Sequence, residues 1–221
     1  MSSLIVSLLL MAVIAYLWGS IPAGYWMGKL LRGKDYDIRD YGSHKIGATN
    51  VLRTLGKGPA AIVFIIDLTK GVGPALVATL VPALHGAGWG ILVAGICALL
   101  GHCYPVFIGF KGGRGVLTGA GALLVVSPLI FLIAAIFTAA TILISRYVSL
   151  GSIVGCAVCI IGAVIFKFTG MITLPQMLLL IIAPALVIIF HRDNIQRLIT
   201  GKERKIGEKV NENNPSTSTV N

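Results

Sequence analysis

Apolar stretches close to the length of a membrane-spanning helix recur along this chain, and they limit its fold more than any other feature of the sequence. A spanning helix takes about 20 mostly apolar residues. Inside lipid, only helices and closed barrels satisfy every backbone polar group. Hydrophobic residues make up 56% of the 221 and charged residues only 12%, a composition that excludes a soluble domain. The chain reads as all-α, a polytopic integral membrane protein of about seven transmembrane helices joined by polar motif loops. Residues 1–206 read as a single membrane-embedded domain. Residues 207–221 read as a polar, disordered tail.

The first apolar segment runs from about Ser3 to Leu31. It has no charged leader and outruns a signal peptide, so we expect it to be retained. Pro22 should kink it, and Gly24 and Gly28 have the spacing that lets helices approach closely. The second segment, about Pro59 to Leu80, carries Asp67 and Lys70 three apart on one helix face. A structural ion pair is the expected reading for charges placed in lipid. A third segment covers about Gly88 to Phe107. The run from Val116 to Ser145 is long enough to fold back, and Ser127-Pro128 is the expected break. The last segments are about Leu150 to Phe168 and Ile172 to Phe190.

Charge sets the expected orientation. Net charge is +10, which in a membrane protein points to basic inside loops rather than to nucleic acid. With seven spans and the N-terminus outside, all of the 18 Lys and Arg except Lys70 and Lys167 fall at the cytoplasmic side. Losing the break at Ser127-Pro128 would spoil that bias. The four cysteines, Cys97, Cys103, Cys156 and Cys159, lie in or beside apolar segments. They read as small packing residues, without a disulfide framework. No cofactor or metal site is expected, because no carboxylate or histidine cluster has ligand spacing.

Three polar stretches meet on the cytoplasmic side under this topology. The first is Asp37 to Arg53, containing Ser43-His44-Lys45-Ile46-Gly47-Ala48-Thr49-Asn50. The second runs from Gly101-His102 to Lys111-Gly112-Gly113-Arg114-Gly115. The third is His191-Arg192-Asp193-Asn194, continuing to Gly201-Lys202-Glu203. The glycine loop is not a Walker loop, since no Lys-Ser/Thr pair follows at the required spacing. It reads either as a phosphate cradle before a helix start or as a tight basic turn. Together the stretches offer the hydroxyls, amides, imidazoles and guanidiniums that bind phosphate.

In that order the stretches resemble the three cytoplasmic motifs of the bacterial acyl-phosphate:glycerol-3-phosphate acyltransferase family, the PlsY type. The family's runs are Arg-x-x-Gly-Ser-Gly-Asn-x-Gly-Ala-Thr-Asn-x-x-Arg, Gly-His-x-x-Pro-Val-Phe…Gly-Gly-Lys-Gly-Val and His-Arg-x-Asn-Ile-x-Arg-Leu. The similarity spans roughly Gly19 to Glu203 and includes Asp67-x-x-Lys70-Gly71. His44-Lys45 stands where the family has Gly-Asn, and Arg114 where it has Lys. These departures bear on the shape of the first loop and on the substrate, since a forked guanidinium is wider than an ammonium.

The resemblance implies transfer of a fatty acyl group from acyl phosphate to the 1-hydroxyl of glycerol 3-phosphate, giving lysophosphatidic acid and phosphate, the first acylation of phospholipid synthesis. The implied partners are glycerol 3-phosphate, fatty acyl phosphate and membrane lipid, with a contact to the enzyme that makes acyl phosphate. Nucleic acid is not expected. The implied place is the cell inner membrane, with the site and C-terminus cytoplasmic. Ser43, His191 and Asn194 are the expected catalytic residues. Ser43 would donate to phosphate, while His191 and Asn194 would orient the hydroxyl or accept its proton. Those three, with Arg53 and Arg114, would hold glycerol 3-phosphate. Gly47, Thr49, Asn50, Gly112, Gly113 and Gly115 would hold the acyl phosphate, the last three through backbone amides. Asp67, Lys70, His102 and Glu203 are expected in supporting roles, with Glu203 tying the tail to an arginine. The competing plain readings are a turn-capping Ser43, anchoring arginines and helix-capping Thr49 and Asn50. For the whole chain, a transporter for a phosphorylated solute or a non-catalytic lipid-binding homologue are the alternatives.

Overall fold

The computed structural model describes residues 2–208. It is helical, and no strand occurs among the described residues. The helices are α1 (Ser2–Gly19), α2 (Ala23–Arg32), α3 (Ala48–Thr54), α4 (Lys57–Leu80), α5 (Pro82–His85), α6 (Gly90–Cys103), α7 (Val116–Val126), α8 (Pro128–Ser145), α9 (Val148–Phe168), α10 (Leu174–Phe190) and α11 (Arg192–Ile199). Residues 209–221 of the expected disordered tail, with Lys209 from the charge tally, lie outside the described residues.

Among the described residues, five stretches are long and apolar enough to cross a membrane: Ser3–Arg32, Lys57–Leu80, Gly90–Ile108, Pro128–Ser145 and Val148–Phe168. Helix α10 with α11, bent by 57°, makes a sixth if the pair is taken as one span. Helix α7, the first of the two shorter spans expected in the folded-back run, falls short of a full crossing. Its 11 residues reach roughly 16 Å at 1.5 Å per residue, about half of a hydrocarbon core. The expected break is where the sequence placed it, since α7 ends at Val126 and Pro128 opens α8. A proline costs nothing at the first position of a helix, where its missing N–H has no partner to lose. Pro22 does more than kink the first segment: α1 stops at Gly19 and α2 starts at Ala23.

Small residues set the packing. A Cβ at Gly19 would overlap the Ala98 carbonyl, and one at Gly101 would overlap that of Tyr16, so α1 and α6 touch backbone to backbone. Gly71 of α4 and Gly121 of α7 do the same against the Thr118 and Leu68 carbonyls. Close approach between apolar helices gains dispersion, which in lipid replaces the hydrophobic driving force. Gly24 and Gly28 differ from expectation. Gly24 lies against the Ile46 carbonyl and Gly28 against the Tyr36 ring. They seat the first motif loop on α2 instead of joining two helices. Outward-facing Leu9, Leu143, Ile144 and Phe168 remain exposed, as lipid-facing side chains would.

Candidate functional site

Asn50 organises the first motif loop. Its amide Nδ2 donates to the carbonyls of Ile38, Tyr41 and Lys45 at 3.1, 3.1 and 2.8 Å. Its Oδ1 accepts from the Ser43 amide at 2.8 Å. The side chain is buried and fully engaged. This corrects the expectation that it binds acyl phosphate, and it is not the helix cap either, because α3 starts after Gly47. Arg39 holds Asp37 at 2.6 Å and donates to the Ile108 carbonyl at 2.8 Å, tying the first loop to the second. His44 sits in the left-handed region at φ 55, where a side chain is strained. A 2.9 Å hydrogen bond between its Nδ1 and the Arg39 carbonyl helps offset that cost.

The glycine loop is built differently from expectation. The Gly112 amide donates to the Cys103 carbonyl at 3.1 Å, and the Gly113 amide to the His102 carbonyl at 3.0 Å. Both close the C-terminal end of α6, so neither is available as a phosphate donor. The amides without an intrahelical acceptor are those of the first turn of α7. They follow Gly115, whose φ of 79 suits glycine alone. The anion-binding end thus moves a few residues along, to Gly115 and the start of α7, where the helix dipole is positive.

Asp67 and Lys70 form a buried ion pair at 2.5 Å, as the spacing implied. His102 lies beside it, with Nδ1 3.6 Å from Asp67 Oδ1, and Thr118 donates to the Asp67 carbonyl at 3.1 Å. This cluster joins α4, α6 and α7 beneath the glycine loop.

At the other side, α10 ends at Phe190, and the backbone bends at His191 into α11. His191 Nδ1 donates to the Val187 carbonyl at 2.7 Å, which fixes the proton on Nδ1 and leaves Nε2 as the acceptor. Burial pushes the His191 pKa down to about 4, with Arg114 adding to the fall, so the ring is neutral near pH 7. Glu203 receives hydrogen bonds from Asn194 Nδ2 at 2.7 Å, Ser149 Oγ at 2.8 Å and Arg197 Nε at 2.8 Å. Burial would raise its pKa, but these three donors outweigh it and hold the carboxyl ionised. Asn194 is thereby oriented, with its buried Oδ1 left without a partner. The segment after α11 crosses this end of the bundle. Arg53 Nη2 donates to the Arg204 carbonyl at 3.3 Å, and the Ile206 amide to the Arg146 carbonyl at 2.8 Å.

These parts line one cavity of about 240 Å³. Of the expected residues, Ser43, Gly47, Thr49, Asn50, Arg53, Asp67, His102, Gly113, Arg114, Gly115, His191, Asn194 and Glu203 border it. Gly112 and Lys70 are not among the lining residues. The Ser43 hydroxyl has no hydrogen bond to the described residues, and the buried Nε atoms of Arg53 and Arg114 lack partners. Burial lowers the pKa of Arg114 to about 10, which still leaves it charged at neutral pH. Two guanidiniums and a free hydroxyl on one lining suit a polar, anionic guest.

A second cavity of about 380 Å³ adjoins the first. The two share Phe64, Val116, Leu117, Thr138, Ile142 and Ser152. Its walls are apolar and come from α4, α7, α8, α9 and α10, with Cys156 and Cys159 among them. The sequence offered no means of telling such groove-lining apolar residues from lipid-facing ones. Ser149 was missed as well, because a lone serine at a helix start carries no signal of its distant partner Glu203.

The fold and the site define a multi-pass helical membrane protein with a cationic pocket at one end of its bundle, open to an apolar groove between helices. The chain belongs to the glycerol-3-phosphate acyltransferase family, whose model matches residues 9–201. It is 42% identical over 201 residues to the glycerol-3-phosphate acyltransferase of Thermoanaerobacter sp. (strain X514), covering 91% of this chain and 96% of that one. Identity is 40% over 202 residues to the enzyme of Listeria monocytogenes serotype 4a (strain HCC23), covering 91% and 98%. Among solved structures, it matches PlsY (YgiH), an integral membrane glycerol 3-phosphate acyltransferase, in its glycerol 3-phosphate form. There the TM-score is 0.81 and identity 39%, over 91% of this chain and 96% of that chain.

Proposed function

We propose that this protein transfers a fatty acyl group from an acyl phosphate to the 1-hydroxyl of glycerol 3-phosphate, yielding lysophosphatidic acid and inorganic phosphate. The observation that carries this reading is the continuity of the two cavities. A pocket with unpaired cations takes phosphate groups, and the apolar groove takes a hydrocarbon chain. Only where they join, near Thr138 and Ser152, can one ligand bridge both.

The residues divide the work as follows. Arg53, Arg114 and the Ser43 hydroxyl hold the acceptor's phosphate through charge-assisted hydrogen bonds. Thr49, Gly115 and the first turn of α7 face the donor's phosphate. His191 Nε2 and Asn194 Oδ1 both accept hydrogen bonds, so they position the attacking hydroxyl. Its oxygen forms the new ester bond while the acyl carbon–oxygen bond to phosphate breaks. The departing phosphate takes the hydroxyl's proton, and His191 orients that hydroxyl through Nε2. An acyl phosphate already has a good leaving group, and no enzyme-bound acyl intermediate is required.

On this reading residues 1–206 act as one membrane-embedded unit, with the site and C-terminus cytoplasmic and the N-terminus outside. An acyl phosphate is amphipathic, so a donor-making enzyme in contact at the membrane would deliver it laterally. Purified protein in detergent should release phosphate from palmitoyl phosphate only when glycerol 3-phosphate is present. Absence of acceptor-dependent release would overturn the proposal in favour of transport or simple lipid binding.

A further inference from the structure

We infer that Lys45 is the cation that holds the phosphate of the acyl donor, on the glycine-loop side of the cavity. This deepens the acyltransfer reading above and rests on it for the donor's identity.

Lys45 borders the cavity and is half-buried. Its backbone is pinned on both sides. The Lys45 carbonyl accepts from Asn50 Nδ2 at 2.8 Å, and the next residue, Ile46, is buried with its carbonyl against Gly24 of α2. Among the described residues no carboxylate forms an ion pair with it.

Hydrogen bonds place the cations in order across the pocket. Arg39, whose carbonyl meets Nδ1 of His44 next to Lys45, donates to the Ile108 carbonyl of the glycine-loop stretch at 2.8 Å. Arg53 Nη2 instead donates to the Arg204 carbonyl, one residue after Glu203. Arg114 precedes Gly115 and borders the same cavity. Lys45 therefore belongs to the glycine-loop side of the cavity, and Arg53 to the Glu203 side.

Two phosphates must share the pocket. Arg53 and Arg114 serve the acceptor, which leaves the donor's phosphate with the Thr49 hydroxyl and backbone amides but no cation of its own. A half-buried ammonium without an ion-paired carboxylate is costly until an anion arrives; burial and the neighbouring Arg114 press its pKa downward, and Asp193 only partly opposes them. Negative charge on the donor's phosphate grows as the acyl–oxygen bond breaks, so a cation there stabilises the transition state as well as the bound donor.

The test compares wild type, Lys45→Met and Lys45→Arg, each checked for membrane yield. Lys45→Met should raise KM for palmitoyl phosphate by about tenfold or more, the usual scale for losing a charged hydrogen bond. The KM for glycerol 3-phosphate should change far less, and Lys45→Arg should recover most of the loss. Inorganic phosphate should raise the thermal unfolding temperature of wild type and do so more weakly in Lys45→Met. An unchanged palmitoyl phosphate KM, or a shift confined to glycerol 3-phosphate, would overturn the inference. If wild type shows no acyl transfer, the acyltransfer reading fails, and the phosphate titration still decides whether Lys45 binds phosphate.

Discussion

At the scale of the residue, His191 and Asn194 show how a fixed hydrogen-bond pattern makes chemistry. The Val187 carbonyl can only accept, so Nδ1 must carry the ring proton. Glu203 accepts a hydrogen bond from Asn194 Nδ2 and so fixes the amide, whose buried Oδ1 has no partner. Sharing does not extend to this pair as it does to the cations. His191→Ala and Asn194→Ala should each lower kcat by about 10²-fold, the scale of a misplaced reacting group, while protein still accumulates in the membrane. Normal specific activity in both would remove them from the site. The depressed His191 pKa also has a sign. Its folded value of about 4 lies below the unfolded 6.5, so folding favours the neutral ring. The stabilisation is present above pH 6.5 and is lost as pH falls through 4. Nitrogen NMR of labelled histidine should place its titration near 4, and a midpoint near 6.5 would contradict the buried geometry.

Among the elements, the glycine loop is the one whose role the fold changed. Gly113 is a glycine because a Cβ would overlap the His102 ring, which in turn abuts Asp67. Gly113→Ala should therefore disturb the cluster beneath the loop. Overpacking of this kind costs about 1–3 kcal/mol and should lower the unfolding temperature in detergent. An alanine variant with unaltered stability would mean that His102 yields freely. The segment after α11 is the second such element. It places Glu203 in the site, ion-paired with Arg197 as the sequence suggested, and it also lies across Arg53 and Arg146, which the sequence did not suggest.

For the whole molecule, α7 and α8 leave the cavity and return to it. Arg114 precedes α7, Arg146 closes α8, and Ser149 lies in the first turn of α9 at the same end of the bundle. The half-length α7 therefore keeps the pairing of basic ends that the charge pattern required. Single cysteines near Lys57, Arg114, Arg146 and Lys202 should be labelled by an impermeant reagent from the cytoplasmic side alone. Those near Gly86, Ser127 and Thr169 should be labelled from the opposite side. Labelling of Arg114 from outside would overturn both the orientation and the shared face.

The sequence by itself determined the membrane class, the breaks at Pro22 and Pro128, the Asp67–Lys70 pair and most of the pocket's polar lining. Each is a local matter: helix length against bilayer thickness, a proline without an N–H, charges three apart on one face, or polar motifs in fixed order. Tertiary structure decided which polar groups remain free for a substrate. Asn50, Gly112 and Gly113 resemble their neighbours in composition, yet their hydrogen bonds are taken by Lys45, Cys103 and His102. It also decided which apolar faces line a groove and which meet lipid. Leu143 and Ile142 are adjacent and equally apolar, yet one is exposed and the other borders both cavities. Lipid and the groove offer an apolar side chain the same solvation, so only the packing of α4 with α7 to α10 separates them.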